Sequence, residues 1–186
     1  MVQAVTRAYP QALEHDIRLP GGEHLLVRPI RGEDEAALTR MVDDCSAEDR
    51  RLRFFGALKH LPAALATRLS RIDYAREMAL IAVPFASTYG SGPIFGVARV
   101  IGDADGRTAE FAVLVRSDLK GHGLGYRLLT EVLSYARKEG LQHVYGDVLS
   151  DNAAMLQMTR ELGFRAEYKH ADPGVTRVTL DMTACG

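Results

Sequence analysis

Cysteine is scarce: Cys45 and Cys185 stand far apart, with neither CxxC nor metal-ligand spacing. That argues against a disulfide-stapled secreted fold and for a reducing compartment with two free thiols. No run approaches the ~20 apolar residues that cross a bilayer, and MVQAVTRAYPQALEHDIRLP lacks the apolar centre of a secretory leader. Cytoplasm is the expected location, with no membrane partner. Charge of one sign is lacking too: 23 Lys and Arg stand against 24 Asp and Glu. Without an overall field to draw in nucleic acid, none is expected as a partner, and any anion site must be local. His15, His24, His60, His122, His143 and His170 form no HxxxH or HExxH pair, so no metal is expected.

What is present suits one folded unit. With 186 residues, 47% hydrophobic and 25% charged, the chain is long enough to bury a sizeable core and close to the average globular composition. Residues 1–22 end in Pro20-Gly21-Gly22 and read as a loose lead-in, with the domain over 23–186. HLLVRPI reads as a strand. Ala36, Ala37, Leu38, Met41 and Val42 recur at helical spacing after the acidic turn at Gly32 to Asp34. Ser46 with Asp49 resembles a capping box opening AEDRRLRFF, which Gly56 would end. AALATRLS after Pro62 predicts a third helix and MALIAV a buried strand. PIFGVARVIG and TAEFAVLV flank Asp105-Gly106, a hairpin signal. Leu124, Leu128, Val132 and Ala136, widened by Leu129 and Leu133, predict a long helix stopped by Gly140. HVYGDVL is the next strand. Ser150 or Asp151 would cap a helix through Leu162, Gly163 would stop it, and VTRVTL alternates as a last strand. The order is mixed α/β without repeats.

Chemistry concentrates in VLVRSDLKGHGLGYRLL, where a strand enters a loop of three alternate glycines that opens the long helix. A helix start leaves about four N–H groups without internal partners and carries partial positive charge, so a diphosphate sits there naturally; a purely structural glycine turn is the other reading. The spacing is not GxGxxG, because Tyr126 stands where the third glycine would be, and no GK[ST] follows.

Lys120-Gly121-His122-Gly123-Leu124-Gly125 resembles the coenzyme A signature Q/R-x-x-G-x-G/A of the GNAT acyltransferase superfamily, with Lys in place of Gln or Arg. NAAMLQMTRELGF resembles the helix that follows it there. VRPI, RLRFFGALKHLP, RIDYAREMALIAV, GVAR, AEFAVLVR, NAAML and PGVTRVTLD together resemble the acetyltransferase domain of Pat-type protein lysine acetyltransferases. The resemblance implies a GNAT-like α/β fold, a mixed and mostly antiparallel sheet flanked by helices. It implies acetyl-CoA as cosubstrate, its diphosphate on Gly121 to Tyr126 and its pantetheine amides on Val113, Leu114 and Val115, with Asn152 beside the arm unless Asn152 is simply a cap. It also implies a protein lysine as acceptor, with an acyl-CoA synthetase as the candidate carrier of that lysine, and membership of a larger multidomain protein as one arrangement; YPQALEHDIRLPGG is similar to that family's junction peptide.

Acetylating a lysine needs its neutral amine, which with a pKa near 10.4 costs roughly 4 to 5 kcal/mol at pH 7, so a general base is useful. Glu110 is the candidate base: it lies on the strand leading to the cofactor edge, where the Pat-like motif that AEFAV resembles places an acid and where burial can raise its pKa; the alternative is a solvent-facing glutamate paired with Arg99 or Arg107. Glu77 is the reserve. The tyrosine many GNAT enzymes carry four residues before the glycine of L-G-F is here Thr159. Tyr126, Tyr168 or water would have to serve, and no acid is assigned. Arg50, Arg51 and Arg53 read as a solvated helix face, with docking of an acidic protein substrate as the alternative. A small-molecule amine acetyltransferase and a silent acyl-CoA sensor remain the rivals.

Overall fold

The computed structural model describes residues 7–86, 92–167 and 173–183. Eight strands form one sheet: β1 (His15–Arg18), β2 (His24–Pro29), β3 (Glu77–Pro84), β4 (Gly96–Gly102), β5 (Thr108–Val115), β6 (His143–Leu149), β7 (Arg165–Glu167) and β8 (Val175–Asp181). Their order is β1-β2-β3-β4-β5-β6-β8-β7, and every neighbouring pair is antiparallel except β5 with β6. Five α-helices among the described residues cover it: α1 (Glu35–Asp44), α2 (Ala47–Phe54), α3 (Ala63–Ser70), α4 (Leu124–Lys138) and α5 (Ala153–Glu161).

Strand alternation separates two cores. Met78, Leu80, Ala82, Ala98, Val100, Phe111, Val113 and Val148 meet α4 on one face. Ala79, Ile81, Val83, Val97 and Leu114 meet Leu38, Met41, Val42 and Ala66 of α1 and α3 on the other. With seven of its eight residues buried, β3 is covered from both sides, which explains why MALIAV is continuously apolar rather than alternating. Leu124, Leu128, Leu129, Val132 and Ala136 are at most 1% exposed, and at about 1.5 to 3 kcal/mol for each fully buried large side chain that stripe holds α4 on the sheet.

Three expectations are corrected. Residues 15–18, read as loose lead-in, form the edge strand β1, with Ile17 buried and Asp16 and Arg18 outward; four residues are too few for a pattern. At the end of α2 the left-handed residue is Phe55 (φ 60), not Gly56. The cap of α5 is Asn152, whose side chain accepts from the Met155 N–H at 3.1 Å, rather than Ser150 or Asp151. Ser46 does cap α2, accepting from the Asp49 N–H at 3.1 Å, and Gly140 and Gly163 do follow α4 and α5.

The parallel pair is short. β5 and β6 are in register only over Thr108↔His143, Ala109↔Val144 and Glu110↔Tyr145, after which they diverge. The Phe111 ring lies where Gly146 would carry a Cβ, 2.4 Å from Phe111 Cε1, and packs on Phe164 at 5.1 Å between centroids. Gly146→Val should therefore overpack this point, at a cost of about 1 to 3 kcal/mol. A thermal melt should show a drop of ~2 to 12 °C for a chain of this size.

Candidate active site

The divergence of β5 from β6 opens a cavity of about 370 Å³, walled by α2, β5, the glycine loop and α5. At its floor α4 begins. Gly121 and Gly123 take φ of 79° and 83°, and a Cβ on either would meet nothing within 4 Å, so the left-handed backbone rather than lack of room calls for glycine here. Gly123 makes no side-chain cap bond, and the first bond of the helix runs from Arg127 N–H to Gly123 O at 3.0 Å. The N–H groups of Leu124, Gly125 and Tyr126 thus have no intrahelical partners where the helix dipole is positive. Leu124 turns its side chain into the core, leaving its backbone for the cradle. Gly125 allows the close approach of α4 to β5, since a Cβ there would lie 3.3 Å from Val115 Cγ2.

Beyond Glu110 one edge of β5 has no strand beside it among the described residues, and Val113, Leu114 and Val115 line the cavity there. Lys120, Gly121, Gly123, Leu124, Gly125, Tyr126 and Asn152 line it too. His122 is exposed and does not. The cleft thus joins a polar, donor-rich floor to an unpaired strand edge, a shape matched to a long ligand with an anionic middle and amide groups along its arm. Glu110 stands at the mouth, where pairing stops. Alternation puts it on the Leu114 face, beneath α2, and its register partner Tyr145 shares that face.

The acetyltransferase (GNAT) family profile matches residues 49–164, more than half of the chain. The chain is a GNAT-family acetyltransferase. It is 31% identical over 146 residues to acetyltransferase PA5475 of Pseudomonas aeruginosa, covering 78% of this chain and 77% of that one. It is 29% identical over 168 residues to acetyltransferase Pat of Mycolicibacterium smegmatis, covering 89% of this chain and 48%, about half, of Pat. The crystal structure of the GNAT domain of S. lividans PAT superposes with a TM-score of 0.83 at 26% identity, over 94% of this chain and 99% of that domain. Enzymes of this family use acetyl-CoA, and the free N–H groups, open glycine floor and unpaired strand edge are the features its diphosphate and pantetheine need.

Sequence reasoning missed one residue of the acetyltransferase's cradle. Asp49 does not complete the capping box by reaching back to Ser46. It is 7% exposed and accepts from Ser117 Oγ and the Lys120 ammonium, while Ser117 Oγ accepts from Ser46 N–H at 2.8 Å. Lys120, placed by its motif among the cofactor contacts, is held by this carboxylate, and α2 is stapled to the loop. The S-x-x-D spacing was visible in the sequence, but the loop it faces lies 70 residues on. Burial alone would raise the Asp49 pKa; the bonds from Lys120, Ser117 and Ser46 outweigh it and hold the carboxyl below its ordinary value. Because the folded pKa is depressed, the stabilisation is full above the unfolded carboxylate range and is lost as pH falls through the lower folded value. Asp49→Asn should cost about 1.5 to 3 kcal/mol at pH 7. Denaturant melts should show that gap starting to close below about pH 4, where the unfolded chain takes up the proton, and closed once pH passes the lower folded value.

The reserve base is corrected. Glu77 is buried and accepts from Arg99 at 2.6 Å and Arg68 at 2.7 Å, so it is a structural partner far from a free base. Arg99 is thereby committed, donating also to Leu69 O at 3.0 Å, and no ion pair joins Glu110 to Arg99 or Arg107 among the described residues. Glu110 is exposed rather than buried as expected. Thr159 is buried and donates to Leu156 O at 3.1 Å, whereas Tyr126 is 43% exposed beside the cavity; Tyr168 lies outside the described residues. The arginine run is not one solvated face. Arg50 donates to the carbonyls of Asp43, Cys45 and Leu58. Arg51 bonds Glu48 and, at 2.7 Å, Asp151. Arg53 is half-buried in the cavity wall.

Proposed function

We propose that this acetyltransferase moves the acetyl group of acetyl-CoA to the side-chain amine of a protein lysine in the cytoplasm, with an acyl-CoA synthetase as the candidate acceptor. The observation that carries the reading is the end of the β5–β6 ladder at Glu110, which brings the donor-rich start of α4, an unpaired strand edge and an exposed carboxylate without an ion pair among the described residues onto a single cleft. In this reading the N–H groups from Gly121 to Tyr126 hold the diphosphate, the edge at Val113 to Val115 receives the pantetheine amides, and Asn152 stands beside the arm while capping α5. Bound acetyl-CoA supplies an activated acyl group. Glu110 takes the proton that the ammonium must lose before its nitrogen can attack.

Direct transfer, without an acylated enzyme, is supported by the one cysteine among the described residues. Cys45 is buried and donates to Met41 O at 3.2 Å, and burial pushes its thiol pKa up, so it is a poor nucleophile. A protein acceptor is supported by the likeness to two Pat proteins, one of them over the whole GNAT domain.

The test is incubation with radiolabelled acetyl-CoA, folded acyl-CoA synthetases and a panel of small amines. Label on a synthetase lysine is expected. Label on free amines alone would replace the protein acceptor with a small one, and coenzyme A binding without label on anything would leave a sensor.

A further inference from the structure

We propose that Arg53 forms a carboxylate-binding subsite at the acceptor end of the cleft, so that the preferred acceptor amine carries a carboxylate close to it. The inference rests on the reading that Glu110 faces the acceptor. Arg53 leaves α2 half-buried in the cavity wall, its guanidinium carbon 4.9 Å from the centroid of the Phe54 ring. Five N–H donors in a fixed plane, with no acceptor, are normally met by carbonyls or carboxylates. Here no ion pair or hydrogen bond to Arg53 is found among the described residues, in contrast to its neighbours Arg50 and Arg51.

The carboxylates around the same cavity do not supply that partner. Asp147 is taken by Arg177 through two bonds of 2.7 and 2.8 Å. Asp49 is taken by Lys120 and Ser117, and Glu161 accepts from Gln157 at 2.7 Å. Glu110 favours the charge on Arg53 from a distance, while burial and the charge on Arg99 oppose it, and the net effect lowers the Arg53 pKa to about 10. The group remains a cation at pH 7, held in a site that costs it solvation and gives little back. An incoming carboxylate supplies what is missing, and the planar fork favours it in bidentate geometry. An amine directed to Glu110 and a carboxylate directed to Arg53 on one molecule describe either a free amino acid or a lysine with an acidic neighbour in a protein.

The test uses the full chain with and without saturating coenzyme A, and two matched probe pairs: acetyl-Glu-Lys-amide against acetyl-Gln-Lys-amide, and leucine against leucinamide. Calorimetry reads affinity for each. In one pair the carboxylate member should bind about tenfold or more tightly to wild type. That ratio should fall below about twofold in Arg53→Gln and recover partly in Arg53→Lys, with coenzyme A affinity unchanged. A response in the peptide pair points to an acidic neighbour of a protein lysine, and one in the leucine pair to a free amino acid. Equal binding within both pairs in wild type, or a preference that survives Arg53→Gln, overturns the proposal. Absence of coenzyme A binding would instead sink the transfer reading, since the probe comparison in coenzyme-free protein still reports on Arg53.

Discussion

Replacing Glu110 with Gln should lower kcat at pH 7 by about 10²- to 10⁴-fold, the span expected when a general base is lost, and leave the Kd for coenzyme A within about twofold. The split follows from position. Glu110 lies at the last paired register of β5 and β6, at the mouth of the cleft, whereas the cradle proposed for the coenzyme uses backbone groups further along, at the start of α4. The side chain is exposed and makes no ion pair among the described residues, so the amide should fold as the wild type does. The rate profile carries a second signature. A lysine amine with a pKa near 10.4 supplies more of its neutral form as pH rises, so the deficit of the variant should shrink steadily between pH 7 and 10. Stopped-time assays with labelled acetyl-CoA across that range would measure it. A variant that turns over like wild type at pH 7 would mean that another group, or none, removes the proton.

The parts of this molecule that were legible in the sequence are those whose signals are local. The hairpin at Asp105-Gly106, the stripe from Leu124 to Ala136 and the glycine loop each announce themselves within 20 residues, and the structure forms them where they were expected. Strands β1 and β7 were not legible, because four and three residues at a sheet edge show no period and gain their order from the strand beside them. The site was legible where the backbone makes it and obscure where packing does. Gly121 and Gly123 could be read because the turn demands them. Asp49 and Arg53 could not, because both sit in a run of charges whose inward members are selected by the way α2 lies on β5. Position 49 looks to the loop and position 53 looks to the cleft, while Arg51 between them bonds to surface carboxylates. A helix of eight residues with mixed charge gives no moment strong enough to tell these faces apart.

The second glutamate should behave in the opposite way to Glu110. Glu77→Ala is expected to lower stability by about 3 to 5 kcal/mol, because removing one member of a buried ion pair leaves the other charge uncompensated. Arg99 is 2% exposed and Glu77 5%, and burial already lowers the Arg99 pKa despite the carboxylate. Without Glu77 the guanidinium keeps its bond to Leu69 O but loses the 2.6 Å contact that offsets its desolvation. For a chain of this length the cost corresponds to a melting temperature lower by ~6 to 20 °C. Glu77→Gln should fall between, since it can still accept from Arg99 without carrying charge. Replacing both residues with apolar ones of similar size, Glu77→Leu with Arg99→Met, should recover most of the loss, as the penalty comes from the stranded cation rather than from the absence of the pair. Turnover per folded molecule should stay within a few-fold of wild type in Glu77→Gln. A hundredfold loss of turnover in that variant with an unchanged melt would exchange the roles of the two glutamates, making Glu77 the proton acceptor and Glu110 a surface residue.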